Sequence, residues 1–593
     1  MRAYYGTLLS ITAAIALSAA STGGVESKFS AAQISALDPT VASRSICRGG
    51  RDSAATLQTR LRLADDLSQQ RHLTQERTEL YAGLAPTDLP APELQGLAAR
   101  YFAQGLALAY GFNHKAAIRS FRMAQEAAPD CALCFWGEAM ANGPNINAGM
   151  NADENGAALR ALEKAEALSS TASPVARALI QAQALRYSDG NGDRKGLDEA
   201  YAAAMQDVAS RFPESDDIAV LAAEAAMNTT PWDYWEAADK PRPQIAGAID
   251  LIEKVSTRNP QHPQASHLYV HLMEASQPAK AEAAADRLAA GAAPGSLGHL
   301  VHMPAHIYYR VGRYADSMRA NVAAVRADEA YLAQAGDDGL YRYGYYPHNV
   351  HFLLTSAQMV GDMRRVVTEA DRLTRILDVE TARQLPWVQA IHAAPAFAIA
   401  QFGSPEAIMA TTQERSPLPY VEAMRQYARA TAAAQTGNSQ AFAKHVAAIL
   451  TQAGSPEITA MVDAGFPAPE LLQLAALVAR ARWEHWQGSP AKAVALYEQA
   501  EAIEATIPYN EPPYWYFPIA HSRGAALYAT GQFEAARMAF RKALVMAPNN
   551  GWALYGLAQT EARLGHELEA AAAAVALEKI WLGERAWLNM TRL

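Results

Sequence analysis

A chain of 593 residues is too long for one compact core, and with half of those residues apolar it is too hydrophobic to stay disordered, so several domains or a repeat array are required. Its 60 acidic residues exceed its 51 basic ones for a formal net charge of −9, and Lys and Arg form no run, which excludes a surface built for a nucleic-acid backbone.

The chain opens with Arg2 before an apolar stretch from 8 to 19 and small residues at Ser18, Ala19 and Ala20. That pattern predicts a signal peptide over 1–20 and a periplasmic or secreted product. No later segment approaches ~20 uninterrupted apolar residues, so no membrane anchor is expected. Residues 21–90 read as an N-terminal helical segment.

From residue 91 a repeat takes over. In YFAQGLALAYGFNHKAAIRSFRMAQEAAPD, Gly105, Ala117, Phe121, Ala124 and Pro129 keep the spacing of a 34-residue tetratricopeptide unit, with His114 filling its turn. Cys131 and Cys134 follow, at the start of the next helix, where the helix dipole lowers a thiol pKa. A redox or metal role and a local disulfide are both open; no His follows Cys134, so a c-type haem is not. In an oxidising compartment the pair is expected to be bonded and Cys47 free. Two interruptions, 142–151 and 227–243, read as long loops, the second anchored by Trp232, Asp233 and Trp235. Units over 91–260 therefore carry insertions, and no segment shows strand alternation.

Residues 261–375 hold a second set of repeats rich in histidine. Of fifteen histidines, seven fall between residues 267 and 351: His267, His271, His299, His302, His306, His348 and His351. With Gly312 as a turn glycine, His302 and His306 occupy the fifth and ninth repeat positions and Tyr309 the twelfth. With Pro294 closing the unit before, His267, His271 and Glu274 take the same three positions. With Gly361 as the next turn, His348 and His351 fall at the second and fifth. Those first-helix positions line the concave groove of a tetratricopeptide array, so three units aim imidazoles at one patch beside Tyr341, Tyr343, Tyr345 and Tyr346. Pro304 suits only a first turn, which puts the helix start near Leu300 and His299 off that face.

Imidazoles suit copper, iron or zinc, whereas calcium and magnesium want oxygen. Two groups on neighbouring helix pairs have the spacing for a dinuclear centre, and His271 with Glu274 for a mixed iron site. Copper or iron beside tyrosines implies oxidation, zinc implies hydrolysis. The competing reading is a polar groove that binds a protein or peptide partner. Nucleotide loops, a nucleophile elbow and His-Glu-x-x-His are all absent, so no nucleotide cofactor is expected.

Further turns near Gly403 and Gly488 continue the array through 376–593, with His392 at a packing position. The clearest unit is GAALYATGQFEAARMAFRKALVMAPNN, where Gly524, Gly531, Phe533, Ala536, Phe540, Ala543 and Pro548 fit the repeat and Gly565 turns the next one. The fold predicted is an all-α, right-handed solenoid of tetratricopeptide-type (TPR) helix pairs with loop insertions.

PDCALCFWGEAMANGPNIN, PWDYW, HLYVHLMEAS, HLVHMPAHIYYRVGRY and YYPHNVHFL together resemble a family of exported bacterial tetratricopeptide proteins of about this length. The resemblance covers roughly 95–370. It implies that the histidines, Glu274 and the Cys pair belong to the family's pattern, and it implies no role for them.

Overall fold

In the computed structural model, helix follows helix from Gly96–Tyr110 to Glu567–Ile580. The structure describes residues 78–593 apart from 83, 85, 148, 238, 292–296, 336–340, 378, 385–387, 464–465 and 508–509. The predicted signal peptide over 1–20, Cys47, most of the 21–90 segment and Pro294 lie outside the described residues. No described helix is long and apolar enough to cross a membrane.

Repeat packing is set by small residues facing large ones. Phe121, fully buried, presses its ring where a Cβ on Gly105 would stand 2.7 Å away, and it crowds Gly137 of the next unit more closely still. Phe540 repeats this at the other end, between Gly524 and Gly556. A side chain on any of these glycines would push the helices apart, so the Gly and Phe spacing is the packing code itself. Gly312, Gly361, Gly488, Gly531 and Gly565 all turn with positive φ, the conformation that lets one helix fold back beside the last.

Among the described residues the apolar core falls into two large clusters, one drawing on residues between 89 and 345 and one on residues between 325 and 593, with a small third around Tyr309, Tyr314 and Phe352. It also curls onto itself. Asn549 Nδ2 donates to the Gly312 carbonyl at 3.3 Å, Leu582 N to Val360 O at 2.8 Å, and Trp552 Nε1 to Gln358 O at 3.2 Å. The C-terminal repeats thus sit on the turns of the histidine-bearing ones.

Two local expectations change and a third is met. The 227–243 insertion contains a short antiparallel pair, Trp235–Ala237 with Lys240–Pro241, closed where Arg242 Nη2 meets Asp233 Oδ2 at 2.6 Å. The helix expected from Leu300 begins at Gly298, which leaves room for the buried Asp328 carboxylate beside it, and is interrupted at Met303 before Pro304–Arg310. Cys131 and Cys134 are joined in a disulfide at the first turn of Ala132–Ala141, where Cys131 Sγ also accepts from Cys134 N at 3.1 Å, so neither sulfur is a free thiolate to hold a metal.

Candidate metal centre

Six imidazoles form two sets of three. His267 and His271, one turn apart on Pro263–Met273, meet His299 from Gly298–His302; His302 and His306, flanking the helix break, meet His348 from Tyr346–Met359. In each set the three ligand atoms lie within 4.8 Å of one another. His299 and His302, three residues apart on the one short helix Gly298–His302, serve the two different sets.

The outer nitrogens are pinned. Gln264 Nε2 donates to Glu224, so its Oε1 accepts from His267 Nδ1 at 2.9 Å; Asn321 Nδ2 donates to Ser317 O, so its Oδ1 accepts from His302 Nδ1 at 2.7 Å. Glu274, at the end of Pro263–Met273, places Oε1 2.9 Å from His271 Nδ1 and Oε2 2.8 Å from His306 Nδ1. One carboxylate therefore orients a ring in each set. At His267, His271 and His302, Nδ1 faces an outward acceptor and Nε2 carries a lone pair aimed inward, whereas His306, beside two carboxylates, holds protons on both nitrogens until a metal displaces the one on Nε2. The Nε2 atoms of His267 and His271 and both ring nitrogens of His299 are buried with no hydrogen-bond partner. In the second set, Nε2 of His302 lies 2.8 Å from that of His306 and 3.2 Å from that of His348. Lone pairs that close repel unless a proton or a metal ion lies between them.

Aromatic rings seal both sets. Phe112 packs 4.8, 6.0 and 5.2 Å from His267, His271 and His299, and Phe352 lies 5.2, 5.1 and 5.6 Å from His302, His306 and His348. Trp232 stands edge-on to His271 at 4.9 Å, so the loop insertion closes over the imidazoles. Where the sets adjoin, the His271 ring is 5.9 Å from His299 and 6.4 Å from His306.

Other residues of the predicted site fall elsewhere. His351 turns away from both sets, its Nε2 2.7 Å from the Tyr516 hydroxyl. Tyr309 packs on Phe352 at 5.3 Å and lines a neighbouring cavity. The site is also not an open groove: all six imidazoles are under a tenth exposed, the first set beneath Phe112 and Trp232 and the second covered beside His306 and His348 by the segment bearing Asn510 to Pro518. That roof supplies Glu511, whose Oε2 is 2.8 Å from His306 Nδ1 and whose Oε1 is 3.6 Å from Arg310. Nothing in the repeat phase marks Glu511, since it lies in an irregular connection.

The chain is a tetratricopeptide-type solenoid. Among solved structures it is similar to the human IFIT1 dimer with m7Gppp-AAAA, at 12% identity over 91% of this chain and 98% of that one with a TM-score of 0.27. It is also similar to the APC/C hetero-tetramer Cut9-Hcn1, at 10% identity over 84% and 96% with a TM-score of 0.22. Both likenesses are of helical-repeat architecture and extend no further. No family model and no curated protein matches the chain.

Burial governs protonation here. It drives His267, His299, His302 and His348 well below the usual imidazole range and His351 down to about 3. His306 is the exception: against the pull of burial, Glu274 and then Glu511 raise it to about 10, while His306 and His271 together take Glu274 down to about 2 despite its own burial. Rings that are neutral when folded take up protons on unfolding, so metal-free protein loses stability as pH falls below about 6.5, each such ring contributing about 1.4 kcal/mol per pH unit. His306 and Glu274 act outside that window. The stability His306 contributes is complete below about 6.5 and lost as pH rises through about 10; that of Glu274 is complete above about 4.5 and lost as pH falls through about 2. Urea midpoints of EDTA-treated protein should drop steeply from pH 7 to pH 5, and a flat profile would contradict neutral imidazoles.

Proposed function

We propose that the two histidine sets hold a pair of neighbouring transition-metal ions and that the chain is a metal-dependent oxidoreductase on a TPR-type scaffold. The observation that carries this is the convergence of three Nε2 atoms in the second set beside an equally buried set with unpartnered nitrogens. A metal–nitrogen bond of about 2 Å needs donors roughly 3.3–3.6 Å apart, so small ring movements suffice. An all-imidazole donor set beside aromatic walls suits copper best among copper, iron and zinc, and three protein ligands per ion leave positions open for a substrate. Copper, when bound, supplies one-electron redox chemistry; the chain supplies the orientation and the dry walls.

The burial of the imidazoles favours an ion over a partner peptide as their occupant, because a peptide has no path to their nitrogens. We further infer export, from Arg2 and the apolar 8–19 stretch, which makes periplasmic or extracellular copper the natural supply. Protein purified without tags or chelators and then reconstituted at pH 7 should carry about two copper, iron or zinc ions per chain. No transition metal bound after reconstitution would leave a protein-binding scaffold as the better reading.

A further inference from the structure

His306 has a second nitrogen that its histidine set does not use. Its Nδ1 lies 2.8 Å from Glu274 Oε2 and 2.8 Å from Glu511 Oε2, and one donor atom from each of the three residues falls within 4.8 Å of the others. The donors come from three segments: Glu274 is the C-cap of Pro263–Met273, His306 lies on Pro304–Arg310, and Glu511 belongs to the C-terminal roof. All three residues are buried. One N–H cannot point along both contacts, and here Glu274 Oε2 and His306 Nδ1 have no hydrogen-bond partner despite their closeness, so charge and not hydrogen-bond direction holds them together. Two carboxylates buried side by side are costly unless positive charge lies between them. Arg310 meets the other Glu511 oxygen at 3.6 Å, and its Nε donates to the main-chain carbonyl of Glu274.

We propose that Glu274, His306 and Glu511 bind a third ion, zinc(II), in addition to the two assigned to the imidazole sets. One imidazole with two carboxylate oxygens suits zinc. Copper(I), the softer ion, prefers the all-imidazole sets, and calcium or magnesium wants more oxygens than these two residues offer. Bonds of about 2 Å put tetrahedral donors about 3.3 Å apart, so a slight spreading of the carboxylates admits the ion, and a fourth position stays open for water. Zinc displaces the Nδ1 proton to solvent, as the ion of the second set displaces the one on Nε2, and His306 bridges the two ions as imidazolate. Only that shared ring ties this inference to the metal reading above. The third ion also fastens the roof that carries Glu511 to the histidine repeats.

The probes are copper(I) and then zinc(II), added anaerobically and in that order to the full chain after dialysis against EDTA. Elemental analysis after gel filtration should find about two copper ions and about one zinc ion per chain. Glu511→Gln, which keeps the shape and removes the charge, should retain the copper and lose the zinc. X-ray absorption at the zinc edge of the unaltered protein should show one imidazole among oxygen neighbours, a result that does not depend on how Glu511→Gln folds. Copper uptake without zinc, zinc retained by copper-loaded Glu511→Gln, or zinc surrounded by three imidazoles or by none each overturns the proposal. Copper uptake without zinc also leaves the two histidine sets standing. Zinc with a single imidazole in protein that takes up no copper rejects the histidine sets and keeps this site.

Discussion

Glu274→Ala should lower metal affinity at both histidine sets, by about 10–100-fold at each, because its two oxygens orient His271 in one set and His306 in the other. Few single substitutions act on two sites. Gln264→Ala, which frees only His267, and Asn321→Ala, which frees only His302, should each weaken one set and spare the other. His302→Ala combined with His306→Ala should remove the second ion entirely and leave helical content nearly unchanged. Glu274→Ala should also cost stability, about 3–5 kcal/mol, since it strips a buried charge from two imidazoles. Competitive chelator titrations and elemental analysis of the four variants decide the matter. Selective loss of one ion in Glu274→Ala would mean that its carboxylate serves a single site.

Gly361→Val should destabilise the fold by about 3–5 kcal/mol. Gly361 has φ of 77°, where a β-branched residue is strained by about 1–2 kcal/mol. A Cβ there would also overlap the Trp581 ring, and Gly583 packs so near that a Cβ on it would overlap the Gly361 carbonyl. Gly531 is the control: its φ is also 77°, yet nothing stands within 4 Å of where its Cβ would be. Gly531→Val therefore measures strain alone, and the excess at Gly361 measures the docking of the C-terminal segment on the histidine repeats. Equal shifts in urea midpoint would show that this docking contributes nothing. If the excess appears, metal affinity should fall in Gly361→Val as well, because the roof that carries Glu511 belongs to the same C-terminal half.

Local periodicity made the repeats legible. Gly105 with Phe121 and Gly524 with Phe540 are near neighbours in sequence and direct contacts in space, so their spacing reports packing without knowledge of the rest of the chain. The same phase put His267 with His271 and His302 with His306 on inward faces, since residues four apart on a helix point one way. The hairpin at Trp235–Ala237 gave no such signal: its strands are too short for alternation to register, and ion pairing between Asp233 and Arg242 closes it.

By itself, then, the sequence determined the helix-pair solenoid and the direction of most of its imidazoles, because both depend on contacts within one or two repeats. Only the tertiary structure decided the site. The short helix Gly298–His302 sends His299 to one set and His302 to the other, and how it seats, with Gly298 against Asp328, is set by tertiary packing and not by repeat phase. The curl of the superhelix, summed over many small rotations between units, brings Glu511 to His306 and turns His351 to Tyr516. It also converts an expected open groove into a sealed interior. Such long-range closure leaves no period in the chain, so no reading of spacing contains it.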